Sequence, residues 1–325
     1  MHTPIQRRSL LIAGAAATLG TGVFAQGKTT KIIVGFPPGQ ATDNVTRILA
    51  ERLQRNTGRN FIVENLPGQG GSLALGSLAK APADGSVMMM AHMSAVCTNP
   101  HLYKSVPYDS NKDFEAVGLV GDLPFVLVCN PALPFQSVQD LVNYARANPD
   151  KLTNASSGNG TVSHLAMEEF KRRAGGLKIT HIPYKGSAAG LTDVMSGNVS
   201  IALETAAAVR PLAQAGKLRP LASGTPQRLA GTLAGVPTLT EAGFANFNAV
   251  TWLMVLYPAG AAKALVQSTF TEINTAARDP EVEAKLLTAG LVQRFSASPD
   301  EAAAYLRSEF KVWGEVVKRS GVTLE

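Results

Sequence analysis

The regular alternation of short β-rich runs with helical patterns constrains this chain more than any other feature. Residues 31–36 read as a strand, after which Val45, Ile48, Leu49 and Leu53 recur at helical spacing. A second strand signal covers 61–64, a helix 72–81 and a third strand 87–91. Strands that each hand over to a helix predict parallel sheet covered on both faces, an α/β fold.

The rhythm breaks near 114–130. Two apolar runs, 116–120 and 125–129, stand close together with no helix between them. A second series then sets strands at 152–155, 179–182 and 199–203 among helices at 137–147, 163–174, 188–196 and 206–215. A strand signal at 250–257 precedes three closing helices near 261–277, 280–289 and 298–319. In the last helix Ser298 and Glu301 have capping-box spacing, and Leu306, Phe310, Trp313 and Val317 form one apolar stripe. Closing helices without a sheet of their own must return to the first series. Two α/β lobes are therefore expected, 26–123 with 249–325 and 124–248. Two crossings make a hinge, and a hinge between α/β lobes makes an interlobe ligand cleft.

The first 25 residues stand outside this pattern. Arg7 and Arg8, the apolar run 10–24 and the small-residue site ending at Ala25 have the form of a cleaved secretory signal peptide. The paired arginines suit either general or twin-arginine export. Removing this segment leaves 300 residues with a formal charge of +4. That mild excess, with no Lys/Arg run and few aromatics, predicts no nucleic-acid partner. No later run is long and apolar enough to span a bilayer, so a periplasmic protein is expected. Cys97 and Cys129 fit a disulfide or two buried thiols equally. No zinc spacing occurs, so no metal or other cofactor is expected.

Three polar, Gly-rich loops fall where strands hand over to helices. Phe36, Pro38, Gly39, Gln40, Ala41, Thr42 and Asp43 belong to the first; Gly70, Gly71 and Ser72 to the second; Ser157, Gly158, Asn159, Gly160 and then His164 to the third. In parallel α/β sheets ligands sit at this end, where backbone N–H groups and helix dipoles hold an anion without any arginine. Thr42 and Asp43 suit helix caps equally well. His92, His101 and His181 read as ordinary structural histidines, whereas His164 fits ligand contact or capping. Tyr184 offers a hydroxyl or an aromatic wall. Glu204, at a strand end facing the cleft edge, reads most simply as a solvated carboxylate. Neither nucleotide-binding glycine motifs nor a nucleophile elbow is present.

In order along the chain, these loops resemble the receptors of tripartite tricarboxylate transporters, the Bug-type solute receptors. The similarity runs over nearly the whole chain after residue 25. It includes Phe36-Pro37-Pro38-Gly39 with Thr42-Asp43, Val63-Glu64-Asn65 before Pro67-Gly68, Ala83-Asp84-Gly85 and Pro107-Tyr108-Asp109. In the second half it includes Ser157-Gly158-Asn159-Gly160, His164-Leu165 and Pro183-Tyr184-Lys185-Gly186. The resemblance implies a type II periplasmic binding fold that closes on a small carboxylate held by backbone amides and bridging waters. It implies contacts on residues 36–43 and 70–72, at Ser94, on 157–160, and at His164 and Tyr184. It also implies a monomer without catalysis that works with the membrane components of a transporter. A sensor for a two-component system, or an exported hydrolase or transferase, is the alternative. Three places depart from the family pattern: Gln40 and Ala41 follow Gly39, His92-Met93 replaces a small polar pair, and Glu204-Thr205 replaces Asp-Asn. Gln40 would narrow the pocket or add a donor, and the longer Glu204 would meet an amino or hydroxyl group on the ligand.

Overall fold

The computed structural model describes residues 29–320 and 322. The segment read as a signal peptide lies outside the described residues. Strands and helices alternate as expected through β1 (Thr30–Val34), α1 (Ala41–Thr57), β2 (Phe61–Asn65), α2 (Ser72–Leu78) and β3 (Val87–His92). A π-helical turn at Ser94–Thr98 and α3 (Asn99–Leu102) lead to β4 (Phe114–Cys129). The second series holds α4 (Val138–Ala147), β5 (Leu152–Ser156), α5 (Val162–Arg173), β6 (Ile179–Pro183), α6 (Ser187–Ser196), β7 (Ile201–Thr205), α7 (Ala206–Gln214) and β8 (Arg219–Ser223). The chain closes through β9 (Val250–Pro258), α8 (Lys263–Ala277), α9 (Pro280–Thr288), β10 (Val292–Gln293) and α10 (Pro299–Ser320).

In the first sheet, β1 lies between β2 and β3 and is parallel to both; β9 then pairs antiparallel with β3 and with β4. In the second, β5 runs parallel to β6 and β7, while β7 and β8 flank β4 antiparallel. One strand thus serves both sheets. Phe114–Pro124 of β4 pairs with β9, and Phe125–Cys129 pairs with β7 and β8. At the switch Phe125 N donates to Ala249 O at 3.1 Å, Ala249 N to Gly224 O at 2.6 Å and Gly224 N to Phe125 O at 2.8 Å. The two chain crossings are therefore hydrogen-bonded side by side.

The runs 116–120 and 125–129, expected as two segments, are one bulged strand. Residues 121–124 look like a turn in sequence, but they are paired: Gly121 and Asp122 also take β10 on their free side. Asp122 is held by Arg294 at 2.7 Å, and Pro124 sits at the partner change, where a missing donor costs least. The short strand β8 carries Pro220 and gave no β signal of its own.

Core packing follows the two periods. Ile32 and Val34 face Val45, Leu49 and Leu53 of α1, while Ile33 between them faces Leu75 and Leu78 of α2. Because both faces of β1 are covered over Ile32–Val34, these residues are apolar without alternation. In the second sheet Val126 and Val128 pack with Leu191 and Val194 of α6, and Leu127 and Cys129 with Leu141 and Phe170 of α4 and α5. The stripe on α10 is only partly submerged: Leu306 and Val317 are buried, Phe310 and Trp313 half-buried. Trp252 and Trp313 both donate their indole N–H to Glu309, at 2.9 and 3.2 Å. Cys97 and Cys129 are separate, buried free thiols. Among the described residues no helix is long and apolar enough to cross a membrane, and no three His, Cys, Asp or Glu side chains cluster as a metal site.

Candidate ligand cleft

The first loop is pinned from below by its own acid. Asp43, 1% exposed, accepts Gly39 N at 2.8 Å, Arg47 Nε at 3.0 Å and Asn65 Nδ2 at 2.9 Å. Asn65 also donates to Phe36 O at 2.9 Å. Burial alone would raise the Asp43 pKa, but Arg47, the Gly39 amide and Asn65 together hold it below the usual carboxylate range. Asp43 therefore shapes the loop and has no lone pair turned to a ligand's cation. Pro38 and Gly39 are exposed, and Gln40 and Ala41 are partly covered. Thr42 is buried, and its carbonyl accepts Thr46 Oγ1 at 2.6 Å inside the helix.

Behind this loop stand the second and third loops of the same lobe. Phe36 packs on His92 with ring centroids 4.8 Å apart. His92 Nδ1 lies 2.7 Å from Ser94 Oγ, and burial lowers the imidazole pKa to about 3, so the ring is neutral. Gly70 and Gly71 turn the chain at φ +57° and +97°, which admits α2 close to β1. Asn99 ties them down: its Nδ2 donates to Gln69 O and to Ser72 Oγ, both at 2.8 Å. Asn99 is fully buried. Asn99 is not among the residues expected from sequence to build the site; a lone Asn before Pro carries no pattern that marks it.

In the second lobe, His164 of α5 reaches back to the loop that precedes its helix. Its Nδ1 accepts Gly160 N at 3.2 Å, and its ring stacks on His181 at 3.9 Å with an 8° tilt. Burial, then His181 and Lys171, lower the His164 pKa to about 3. His181 reaches Ser156 Oγ at 2.6 Å. Ser157 N and Oγ meet Ser163 Oγ at 2.8 and 3.0 Å, and Gly158 and Gly160 adopt φ +136° and +77°. Asn159 is partly covered, and its carbonyl lies opposite Gly70. The Tyr184 hydroxyl donates to Asp193 on α6, and its ring lies over Gly190.

Glu204 corrects the simplest sequence reading, since it is 1% exposed rather than solvated. Its Oε2 accepts Ser187 Oγ at 2.6 Å and faces Thr205 N at 3.4 Å, while Oε1 has no hydrogen-bond partner among the described residues. Burial pushes its pKa up to about 7, against the pull of Ser187, Thr205 N and the hydroxyls of Ser163 and Ser157. Gln40 meets this cluster from across the cleft. Its side chain leaves its own helix uncapped, and Oε1 instead accepts Ser187 N at 3.2 Å, at the start of α6. Two positions that depart from the family pattern, Gln40 and Glu204, thus converge on Ser187. Farther along, Thr98 Oγ1 donates to Gly160 O at 2.8 Å, a second bond between the lobes. A crevice of about 440 Å3 opens beside Gln40, between the first loop and the faces of α6 and α7.

The helix starts around the cleft share one property. The N-cap residues Gln40, Gly71 and Thr161 of α1, α2 and α5 make no side-chain cap. By contrast α4 has a full capping box from Ser137 and Asp140, and α9 is capped by Asp279. The remote α8 is also uncapped. Unsatisfied first-turn amides with the positive end of the helix dipole favour an anion. The structure brings the three loops, His92, Ser94, His164 and Glu204 to one interlobe region; the Tyr184 hydroxyl is turned to α6.

Two α/β lobes that share a double crossing, with loops from both meeting in the cleft, define a periplasmic-type solute-binding receptor fold. A family model described as the tripartite tricarboxylate transporter family receptor matches residues 45–322, and the chain belongs to that family. It is 32% identical over 314 residues to Protein BugT of Bordetella pertussis, covering 96% of this chain and 95% of that protein. Among solved structures, R. palustris Rpa4515 with adipate is 32% identical with a TM-score of 0.86, covering 91% of this chain and 98% of that one. The periplasmic binding protein BugD is 28% identical with a TM-score of 0.84, covering 91% and 99%.

Proposed function

We propose that this chain is a periplasmic, non-catalytic receptor. It captures a small carboxylate between its lobes and presents it to the membrane components of a tripartite transporter. The observation that carries this reading is the pair of uncapped helix starts, α1 from one lobe and α5 from the other, at loops with no lysine or arginine. Such a site neutralises a carboxylate with amides and dipoles and keeps no cation buried when empty. The bound adipate of Rpa4515 supports the same ligand class.

The lobes in this reading are residues 26–123 with 249–325, and 124–248. The hinge lies at the paired crossings, and closure is secured by Gln40–Ser187 and Thr98–Gly160. Residues 36–43, 70–72, Ser94, 157–160 and His164 form or support the ligand shell, with Phe36 and His92 as its aromatic floor. Export follows from residues 1–25, with cleavage near Ala25, and the mature receptor acts as a monomer.

A thermal-shift screen against mono-, di- and tricarboxylates tests the reading. A ligand at 100 times its Kd stabilises the fold by about 2.7 kcal/mol, and it should be recovered chemically unchanged. Silence across the carboxylates, or consumption of the ligand, would contradict it.

A further inference from the structure

We propose that the crevice walled by α7, the segment 225–231 and the α9–β10 turn is a second ligand site, separate from the interlobe cleft. It takes a small amphipathic anion, an apolar body bearing one carboxylate, whose charge Arg210 meets. The inference goes beyond the receptor reading and does not depend on it.

The apolar half of the argument is an exposure that packing does not explain. Among the described residues five large hydrophobic side chains are exposed, and two of them, Leu287 at 50% and Val292 at 47%, line this one crevice. Leu229, Pro226 and Val250 continue the same wall, and the space between them is about 610 Å3. That volume lies in the range of small-molecule sites, which are mostly apolar with few polar groups. Single exposed apolar residues are ordinary, but two that converge on one concavity mark a surface that a ligand covers.

The polar half is Arg210. Three charged residues line the crevice: Asp122, Arg210 and Arg228. Asp122 is engaged by Arg294 at 2.7 Å, and Arg228 by Glu241 at 3.0 Å. Arg210 makes no ion pair or hydrogen bond to any described residue, and its Nε is buried without an acceptor. A guanidinium stays charged at any working pH and fits the oxygens of a carboxylate. With the other charges of the lining already spent on partners, this cation selects an anion over a neutral or cationic ligand.

Packing separates the site from the cleft. A Cβ on Gly290 would lie 2.5 Å from that of Ala207, so the turn after α9 rests directly on the start of α7. The crevice beside Gln40 has Ala207 and Ala289 in its walls, whereas this one has Arg210 and Gly290, and no residue lines both.

Calorimetry on the full chain with octanoate, 1-octanol and octylammonium tests this. Octanoate should saturate a single site and bind about 10-fold or more tightly than 1-octanol, with octylammonium weaker still. Arg210→Gln should remove that preference, weakening octanoate about 10-fold while leaving 1-octanol within about 3-fold. Leu287→Glu, at a half-exposed position that tolerates a polar side chain, should weaken octanoate about 3-fold or more. No saturable octanoate binding at millimolar concentration would overturn the inference. Octanoate binding indifferent to both substitutions would also overturn it, because the probe would then sit elsewhere. The ranking of the three probes in the unaltered protein stands even if a variant does not fold, and equal binding of octanoate and 1-octanol there would contradict the anion site.

Discussion

Asp43 and Glu204 are both acids at the cleft with 1% exposure, and their surroundings drive them in opposite directions. Asp43 is saturated by Arg47, Asn65 and the Gly39 amide. Asp43→Ala should therefore destabilise the fold by about 1–3 kcal/mol and weaken carboxylate binding through loss of loop shape. Asp150 is exposed with φ +60°; Asp150→Asn keeps a residue that tolerates this backbone and should change either quantity little. Equal effects in paired urea and calorimetric titrations would remove the first loop from the site. For Glu204 the folded pKa is raised, from 4.5 to about 7. The native state then holds a proton that the unfolded chain has released. Its contribution is fully present below pH 4.5 and is lost as pH rises through about 7, at up to roughly 1.4 kcal/mol per pH unit. Urea midpoints of the protein and of Glu204→Gln should coincide near the lower value and separate by pH 8, with the variant more stable. Parallel curves would contradict the burial argument. His92 and His164, lowered from 6.5 to about 3, act with the other sign: stability falls as pH drops below 6.5. At this scale the sequence supplied residue types and loop positions. It could not tell a solvated Glu204 from a buried one, because that depends on α6 and α7 converging, nor could it foresee that Tyr184 would spend its hydroxyl on Asp193.

Elements were more legible than side chains. β1, α1, β7, β9 and α10 emerge close to their expected bounds because periods of 2 and 3.6 residues survive wherever one face is buried. β4 escaped as a single strand because two bulges, between Ala116 and Gly118 and between Leu119 and Gly121, and a change of partner after Pro124 break its period. β8, β10 and α3 are too short or too interrupted to leave a period. In the proposed function, closure depends on the turn before α5. Gly160 sits at φ +77°, and a Cβ there would lie 2.8 Å from Asn99 Oδ1 and 2.9 Å from Leu102 Cδ1. Gly160→Ala should thus strain the turn by about 1 kcal/mol and hold the lobes apart. Ligand affinity is expected to fall more than 10-fold, by about 1.4 kcal/mol or more, and scattering should report a larger radius of gyration with ligand present. Unchanged affinity would show that Thr98 and Gly160 are not a closing contact.

For the whole molecule, the strand–helix rhythm, the break near 114–130 and the return at β9 make the two-lobed fold readable before any coordinates. The cleft is then a consequence of chain connectivity. Its chemistry is less readable, because the proposed ligand shell consists largely of backbone amides whose direction depends on packing in both lobes. Amide hydrogen exchange with and without a bound carboxylate addresses that point most directly. The account predicts slowed exchange in both lobes at once, over residues 39–43 and 157–164, with exposed segments such as the Asp150 turn unchanged. Protection confined to one lobe, or centred away from these helix starts, would contradict a ligand held between them.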